Sequence, residues 1–191
     1  MKKLYTLLLL IPFSATAQMP VNLLTDGDFE SNNAAGVWTG NALQIRFENN
    51  NYFNFAEVAT AGNPWDANLS QAVTLTQGNT YTLSFEASTG AGNTRSIVAG
   101  IGQSAGDYQS ATETLTITDT NETYTYDFVA GFPGPHRVLF DMGADTGIVV
   151  IDNVSLIEKD VSGGTGAENN LLLEDLKLHL PNLKIIKSLK K

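Results

Sequence analysis

Polar and apolar residues alternate with a period of two along much of the chain. Val73-Thr74-Leu75-Thr76 runs into the turn signal Gly78-Asn79, and Tyr81-Thr82-Leu83-Ser84-Phe85-Glu86 follows it. The same alternation recurs in Thr112 to Ile117, Tyr124 to Phe128, Val138 to Met142 and Val149 to Ile157. Thr, Val, Tyr and Phe dominate these runs, and Gly, Asn or Asp separates them, as in sandwich strands. No stretch of the region keeps a 3.6-residue period for three turns, so no helix is expected there. The pattern predicts an all-β fold, a jelly-roll β-sandwich of two antiparallel sheets.

The ends of the chain follow other rules. Lys2 and Lys3 precede an apolar run from Leu7 to Phe13, and Ser14-Ala15-Thr16-Ala17 offers a small-residue cleavage site. Residues 1–17 therefore read as a secretory signal peptide. The apolar run is too short for a membrane span, for which ~20 residues are needed. Residues 159–168, with Val161-Ser162-Gly163-Gly164-Thr165-Gly166, read as a flexible linker. Residues 169–191 form a Leu-, Ile- and Lys-rich tail in which Pro181 interrupts any helix starting near Leu171. The folded module is expected at 18–158.

Composition narrows the function. The chain has 191 residues, and 42% hydrophobic residues suffice for a core. Val21 to Glu158 carries 16 acidic residues against three basic ones, Arg46, Arg95 and Arg137, a net charge of −13 without a lysine. Such a surface repels phosphate backbones and anionic lipid, so neither nucleic acid nor membrane insertion is expected. The chain has no cysteine. An exported domain without disulfides is held by its core, a bound metal or both, and calcium prefers the oxygen ligands abundant here.

Several motifs admit both a functional and a simpler account. Gly102-Gln103-Ser104-Ala105-Gly106 matches G-x-S-x-G, but a nucleophile elbow needs a helix next, and Asp107-Tyr108-Gln109-Ser110 leads to another strand-like run. A glycine-rich hairpin loop accounts for it better. No E-x-D-x-x-E strand signature of a laminarinase is present, and no catalytic residue is assigned. In Asp26-Gly27-Asp28-Phe29-Glu30, taken as extended, Phe29 faces the core while Asp28 and Glu30 share the other face. Asp152, between apolar neighbours in a late strand, could approach Glu30. Asp28, Glu30 and Asp152 are either turn-capping and exposed acids or ligands of a structural calcium. Trp65 and Tyr108 lie at turn-rich positions, where an aromatic ring either stacks on sugar or is buried in the core.

Three segments together carry a resemblance. Asn22-Leu23-Leu24-Thr25-Asp26-Gly27-Asp28-Phe29-Glu30, then Leu69-Ser70-Gln71 with Gln77 to Phe85, then Ile151-Asp152-Asn153-Val154-Ser155-Leu156, resemble the carbohydrate-binding modules of family 4 and of families 9, 16 and 22. The resemblance spans about residues 21 to 158. It implies a jelly roll with a concave binding face and a structural calcium bound away from it, held by Glu30 and Asp152. It places a groove amide on Gln71, an aromatic on Tyr108, polar groove positions on Arg137 and Asp141, and Trp65 one place from a groove tyrosine. A groove arginine falls on Val98, with Arg95 close by. The tail, at Leu173-Glu174-Asp175-Leu176-Lys177-Leu178, resembles the start of a type IX secretion sorting domain, truncated and without its usual turn.

These readings converge on a secreted, monomeric, non-catalytic module that binds a β-glucan polysaccharide, laminarin-type β-1,3-glucan first and other β-glucans or xylan next. The alternatives are a fragment of a glycoside hydrolase and an adhesion module without sugar affinity.

Overall fold

The computed structural model describes residues 20–31 and 33–159. The expected signal peptide, the tail and all of the expected linker but Lys159 lie outside the described residues. Ten strands are present: β1 (Trp38–Thr39), β2 (Ile45–Glu48), β3 (Asn51–Val58), β4 (Asn68–Val73), β5 (Thr80–Ser88), β6 (Thr94–Gln103), β7 (Ser110–Thr118), β8 (Glu122–Val129), β9 (His136–Asp141) and β10 (Gly147–Glu158). They form two five-stranded antiparallel sheets, ordered β1-β4-β9-β6-β7 and β2-β3-β10-β5-β8. This is the jelly-roll sandwich that the period of two predicts. One-turn 3₁₀ helices at Ala34–Gly36 and Pro64–Asp66 are the only helical turns among the described residues.

Alternation builds the core directly. On β5, Tyr81, Leu83, Phe85 and Ala87 are buried while the residues between them are half-exposed. Phe85 meets Phe140 of the facing sheet edge-on, with ring centroids 4.9 Å apart. Phe29 packs against the buried Trp38 at 5.3 Å. Each such side chain contributes roughly 1.5–3 kcal/mol through burial. β10 changes phase part way: Val149 and Ile151 face inward, then Val154 and Leu156. A bulge between Asp152 and Ser155, with Asn153 at φ 49°, absorbs the extra residue and keeps both halves buried.

The strand boundaries depart from the alternation at several points. Val73 to Thr76 reads as a strand, yet β4 ends at Val73 and the chain then turns. Asn79 donates to the Thr76 carbonyl, and the Tyr81 hydroxyl accepts from the Thr76 N–H. β1, β2, β3 and β6 lie outside the alternating runs. β3 turns Asn54 into the core, where its Oδ1 accepts from Gln44 N at 2.9 Å, and β6 carries Ala99, Gly100 and Gly102 in place of larger strand formers.

The N-terminal segment runs along β10: Leu23 donates to Leu156 O and Val154 to Gly27 O, both at 2.8 Å. Residues 26–30 form a turn, with Asp26 and Phe29 at positive φ, and are not extended. Phe29 is buried as expected, but the turn removes the basis for placing Asp28 and Glu30 on one strand face.

Candidate functional site

Side chains of β1, β4, β9, β6 and β7 that do not enter the core share the outward face of the first sheet. Strand register lines them up in rows. Asn68 aligns with Asp141, Val98 and Thr114; Thr39 with Ser70, Leu139, Gly100 and Thr112; and Ala72 with Arg137, Gly102 and Ser110. Gly100 and Gly102 leave a strip along β6 without side chains. A Cβ on Gly102 would stand 2.9 Å from Leu139 Cδ2, so Leu139 leans into that strip. The face thus has a smooth middle bordered by amide, hydroxyl and charged groups.

A hydrogen-bonded chain fixes one border. Asn68 Nδ2 donates to Asp141 Oδ1 at 2.5 Å, Asn68 Oδ1 accepts from Ser70 Oγ at 3.0 Å, and Thr39 Oγ1 lies 3.3 Å from Ser70 Oγ. Burial pushes the Asp141 carboxyl above the usual carboxylate range, opposed by the Asn68 bond and the charge of Arg137. Arg137 shares strand and face with Asp141, four residues away, and its buried Nε has no hydrogen-bond partner. Both positions fall on the outward face of the first sheet.

Two exposed aromatic residues flank the face. Trp65 sits in the 3₁₀ turn Pro64–Asp66 and is 64% exposed, so the buried-core alternative for it falls away; Trp38 fills that role. The turn is firmly tied: Asn63 N donates to Asp66 Oδ2, Gly143 N to Pro64 O and Met142 N to Ala67 O, each at 2.7 Å. Gly143 lies so close beneath it that a Cβ there would come 2.4 Å from Asn63 O. Trp65 precedes Asn68 by three residues and so stands by the Asp141 end. Tyr108, also 64% exposed, lies in the loop between β6 and β7, two residues before Ser110 and so by the Arg137 end. Paired bonds between Gln103 and Gln109, at 2.8 and 2.9 Å, close that loop. The loop contains Ser104 and leads to a strand, which agrees with the hairpin reading of G-x-S-x-G.

Two expected groove residues are elsewhere. Gln71 is 4% exposed and points inward, its Oε1 accepting from Thr25 N and its Nε2 donating to Thr25 O, both at 2.8 Å. Arg95 is buried with Ile97, Ala99 and Ile101. Its guanidinium donates to the carbonyls of Met142, Asp145 and Gly147 and ties down the loop between β9 and β10. Burial lowers the pKa of Arg95, and the charge of Asp145 acts the other way. Asn68, Ser70 and Thr39, which the sequence reading did not select, supply the polar border instead.

The expected calcium ligands stand away from this face. Tyr52 N donates to Glu30 Oε1 at 2.8 Å, and the neighbouring Asn51 Nδ2 donates to Asp152 Oδ2 at 2.9 Å, so adjacent residues of β3 bind both acids. Burial raises the Asp152 carboxyl; bonds from Asn51 and Asn153 oppose this, while the charges of Glu86 and Glu30 add to it. Negative groups around a buried carboxylate, all with oxygen donors, fit a hard cation such as calcium. Among the described residues no three Asp, Glu or His side chains form a ready metal cluster. An ion here would use Glu30 and Asp152 with the Asn51 side-chain oxygen and backbone carbonyls. Asp28 is exposed, and its one hydrogen bond is a 3.4 Å contact with Glu30 N.

A family model described as "Carbohydrate binding domain" matches residues 21–143, more than half of the chain. Among solved structures, the chain is similar to the second N-terminal cellulose-binding domain from Cellulomonas fimi β-1,4-glucanase C. The TM-score is 0.60 and the identity 26%, over 77% of this chain and 100% of that one. A structure described as "CBM4 structure and function" matches with TM-score 0.58 and 19% identity, over 71% of this chain and 99% of that one. "Family 16 Carbohydrate Binding Module-2" matches with TM-score 0.50 and 18% identity, over 72% and 100%. Comparison with curated proteins gives no match. No helix among the described residues is long and apolar enough to cross a membrane.

Proposed function

We propose that this chain, which belongs to the carbohydrate-binding domain family, binds a neutral β-glucan on the outward face of its first sheet and does not cleave it. One observation carries the reading: two exposed, anchored aromatic residues, Trp65 and Tyr108, stand at opposite ends of a face bordered by Asn68, Asp141 and Arg137. Pyranose rings have apolar faces that stack on aromatic rings, and equatorial hydroxyls that bond to amide, carboxylate and guanidinium groups at the edges. Asp141 is the one carboxylate in the three register rows, whereas glycoside hydrolysis commonly uses a pair. The module's net charge of −13 favours a neutral polymer over an anionic one. The similar Cellulomonas fimi domain is described as cellulose-binding, which supports a β-glucan ligand. Laminarin-type β-1,3-glucan is our leading ligand.

On this reading the chain is exported under the direction of residues 1–17, works as a monomer outside the cell, and carries a structural calcium at Glu30 and Asp152. Calorimetric titration of the protein with laminarihexaose and cellohexaose, beside a reducing-end assay on laminarin, tests the function. Saturable binding without release of reducing ends is the expected result. Sustained release would identify an enzyme, and no heat with either oligosaccharide would remove the β-glucan assignment.

A further inference from the structure

Polar residues close both ends of the inward row of β6. Arg95, Ile97, Ala99, Ile101 and Gln103 share one parity and are buried, so Gln103 takes a place that alternation would give to an apolar residue. A buried amide is costly unless its groups are bonded, and two loops engage those of Gln103. Its Oε1 accepts from Gln109 N at 2.9 Å, and its Nε2 donates to Pro133 O at 3.0 Å. The backbone N–H of Gln103 donates to Gln109 O at 2.8 Å.

These bonds converge on the residue after Tyr108. The N–H of Gln109 belongs to the peptide unit joining Tyr108 to Gln109, so the Gln103 side chain holds that peptide plane. Tyr108 stands at φ 52°, in the left-handed region, a conformation that persists only where the surroundings impose it. Little else imposes it here. Residues 105–108 are exposed and make no hydrogen bond among the described residues, and a Cβ on Gly106 would meet nothing within 4 Å. The loop therefore hangs from its two ends. At the first, Ser104 N donates to Pro135 O at 3.0 Å; at the second, Gln103 holds both the N–H and the carbonyl of Gln109. Because the Gln103 amide also reaches Pro133 O, both attachments lead to residues 133–135, just before β9.

We propose that Gln103 is the positioning residue for Tyr108. Its side chain, buried on the core side of β6, holds the peptide after Tyr108 and so keeps the ring at the Arg137 end of the outward face, ordered before sugar arrives. The proposal rests on the β-glucan reading of that face and adds the residue on which one of its two stacking rings depends. Gln103 acts through Tyr108 alone and touches no sugar.

The experiment is a double-mutant cycle on the full chain, with Gln103→Met, Tyr108→Gly and the two combined, read by calorimetry with laminarihexaose and by thermal melting. Gln103→Met keeps a side chain of similar length and removes both of its hydrogen bonds. It is expected to weaken binding about fivefold, because the loosened loop must then be ordered by the sugar. In the Tyr108→Gly background the same substitution is expected to cost no further affinity. Should Gln103→Met fail to fold, Gln103→Glu takes its place: it keeps an acceptor for Gln109 N, loses the donor to Pro133 O, and is expected to cost about twofold on the parent and nothing beside Tyr108→Gly. A merely structural role would lower the melting temperature and leave the affinity of the folded variant at the parent's value, and that result overturns the proposal. So do losses that multiply in the combined variant, since Gln103 would then act independently of Tyr108. If the parent binds and Tyr108→Gly binds equally well, the positioning role falls while the face can still hold sugar. If the parent binds neither laminarihexaose nor cellohexaose, the reading of the face falls and takes this proposal with it.

Discussion

Gln71 holds both polar groups of one residue on another segment: its Oε1 accepts the Thr25 N–H and its Nε2 donates to the Thr25 carbonyl, both at 2.8 Å. A side-chain amide thus makes the two bonds that an adjacent strand would otherwise make. It fastens the N-terminal segment to β4 next to the Phe29–Trp38 pair.

Gln71→Ala is therefore expected to act on stability. It removes two hydrogen bonds and a buried side chain, at a cost of about 1–3 kcal/mol. Urea unfolding should show a lower midpoint, while affinity for laminarihexaose stays within about twofold, since Gln71 does not reach the outward face. A folded Gln71→Ala protein that had lost sugar binding would put Gln71 back in the site.

The placement of Gln71 also shows how far the sequence could be read. Strand alternation decides faces two residues at a time. Leu69 is plainly a core residue, so Gln71 must face inward with it and Asn68 and Ser70 outward. The resemblance placed the groove amide on Gln71; an odd shift along β4 to Asn68 reaches the outward face. Arg95 obeys the same rule, sharing the parity of Ile97, Ala99 and Ile101. By contrast, nothing local marked β6 as a central strand, because Ala99, Gly100 and Gly102 are poor strand formers and pairing with β7 and β9 holds them there. Asn54 broke the apolar period of β3 in the same way. The bearing of Trp65 could not be read locally either, since it depends on Gly143, far along the chain, passing beneath its turn.

Asp141 gives the fold a pH dependence of definite sign. Its folded-state pKa is raised, chiefly by burial, so in the interval above the ordinary carboxylate range the native state holds more proton than the unfolded chain. Stability then falls as pH rises through that interval and is regained on acidification. Asp152 contributes with the same sign. Asp141→Asn keeps an acceptor for Asn68 and removes the buried charge. It should melt above the parent at pH 7, and the difference should shrink toward pH 3.5. A constant difference across that range would mean that Asp141 ionises in the fold as it does in the unfolded chain.

Calcium should stabilise the fold without entering sugar recognition. Glu30 and Asp152 lie on the N-terminal turn and β10, whereas the face proposed for the sugar belongs to the other sheet. An ion bound only by the native state adds RT ln(1 + [L]/Kd), about 2.7 kcal/mol at a hundredfold excess over Kd. Melting in millimolar calcium and then in chelator should show the loss, and Glu30→Ala should melt lower and respond less. A melting temperature indifferent to chelator would remove the ion from the fold.

The aromatic pair should supply most of the sugar affinity, and its two members should respond differently to substitution. Trp65 is exposed, and its turn is held by backbone bonds and the Asn63–Asp66 pair, none of which needs the indole. Trp65→Ala is therefore expected to leave the melting temperature nearly unchanged and to weaken laminarihexaose binding at least tenfold, or ~1.4 kcal/mol. Tyr108 is held at φ 52°, a left-handed conformation disfavoured for a residue with a side chain. An exposed tyrosine kept in a strained conformation is better explained by its use in binding than by packing. Tyr108→Gly relieves the strain, which offsets the greater freedom of glycine in the unfolded chain. That variant should lose affinity nearly as far as Trp65→Ala while keeping its stability. Calorimetry and thermal melting of the two variants side by side settle the matter. If both bind as the parent does, the outward face of the first sheet is not the sugar site.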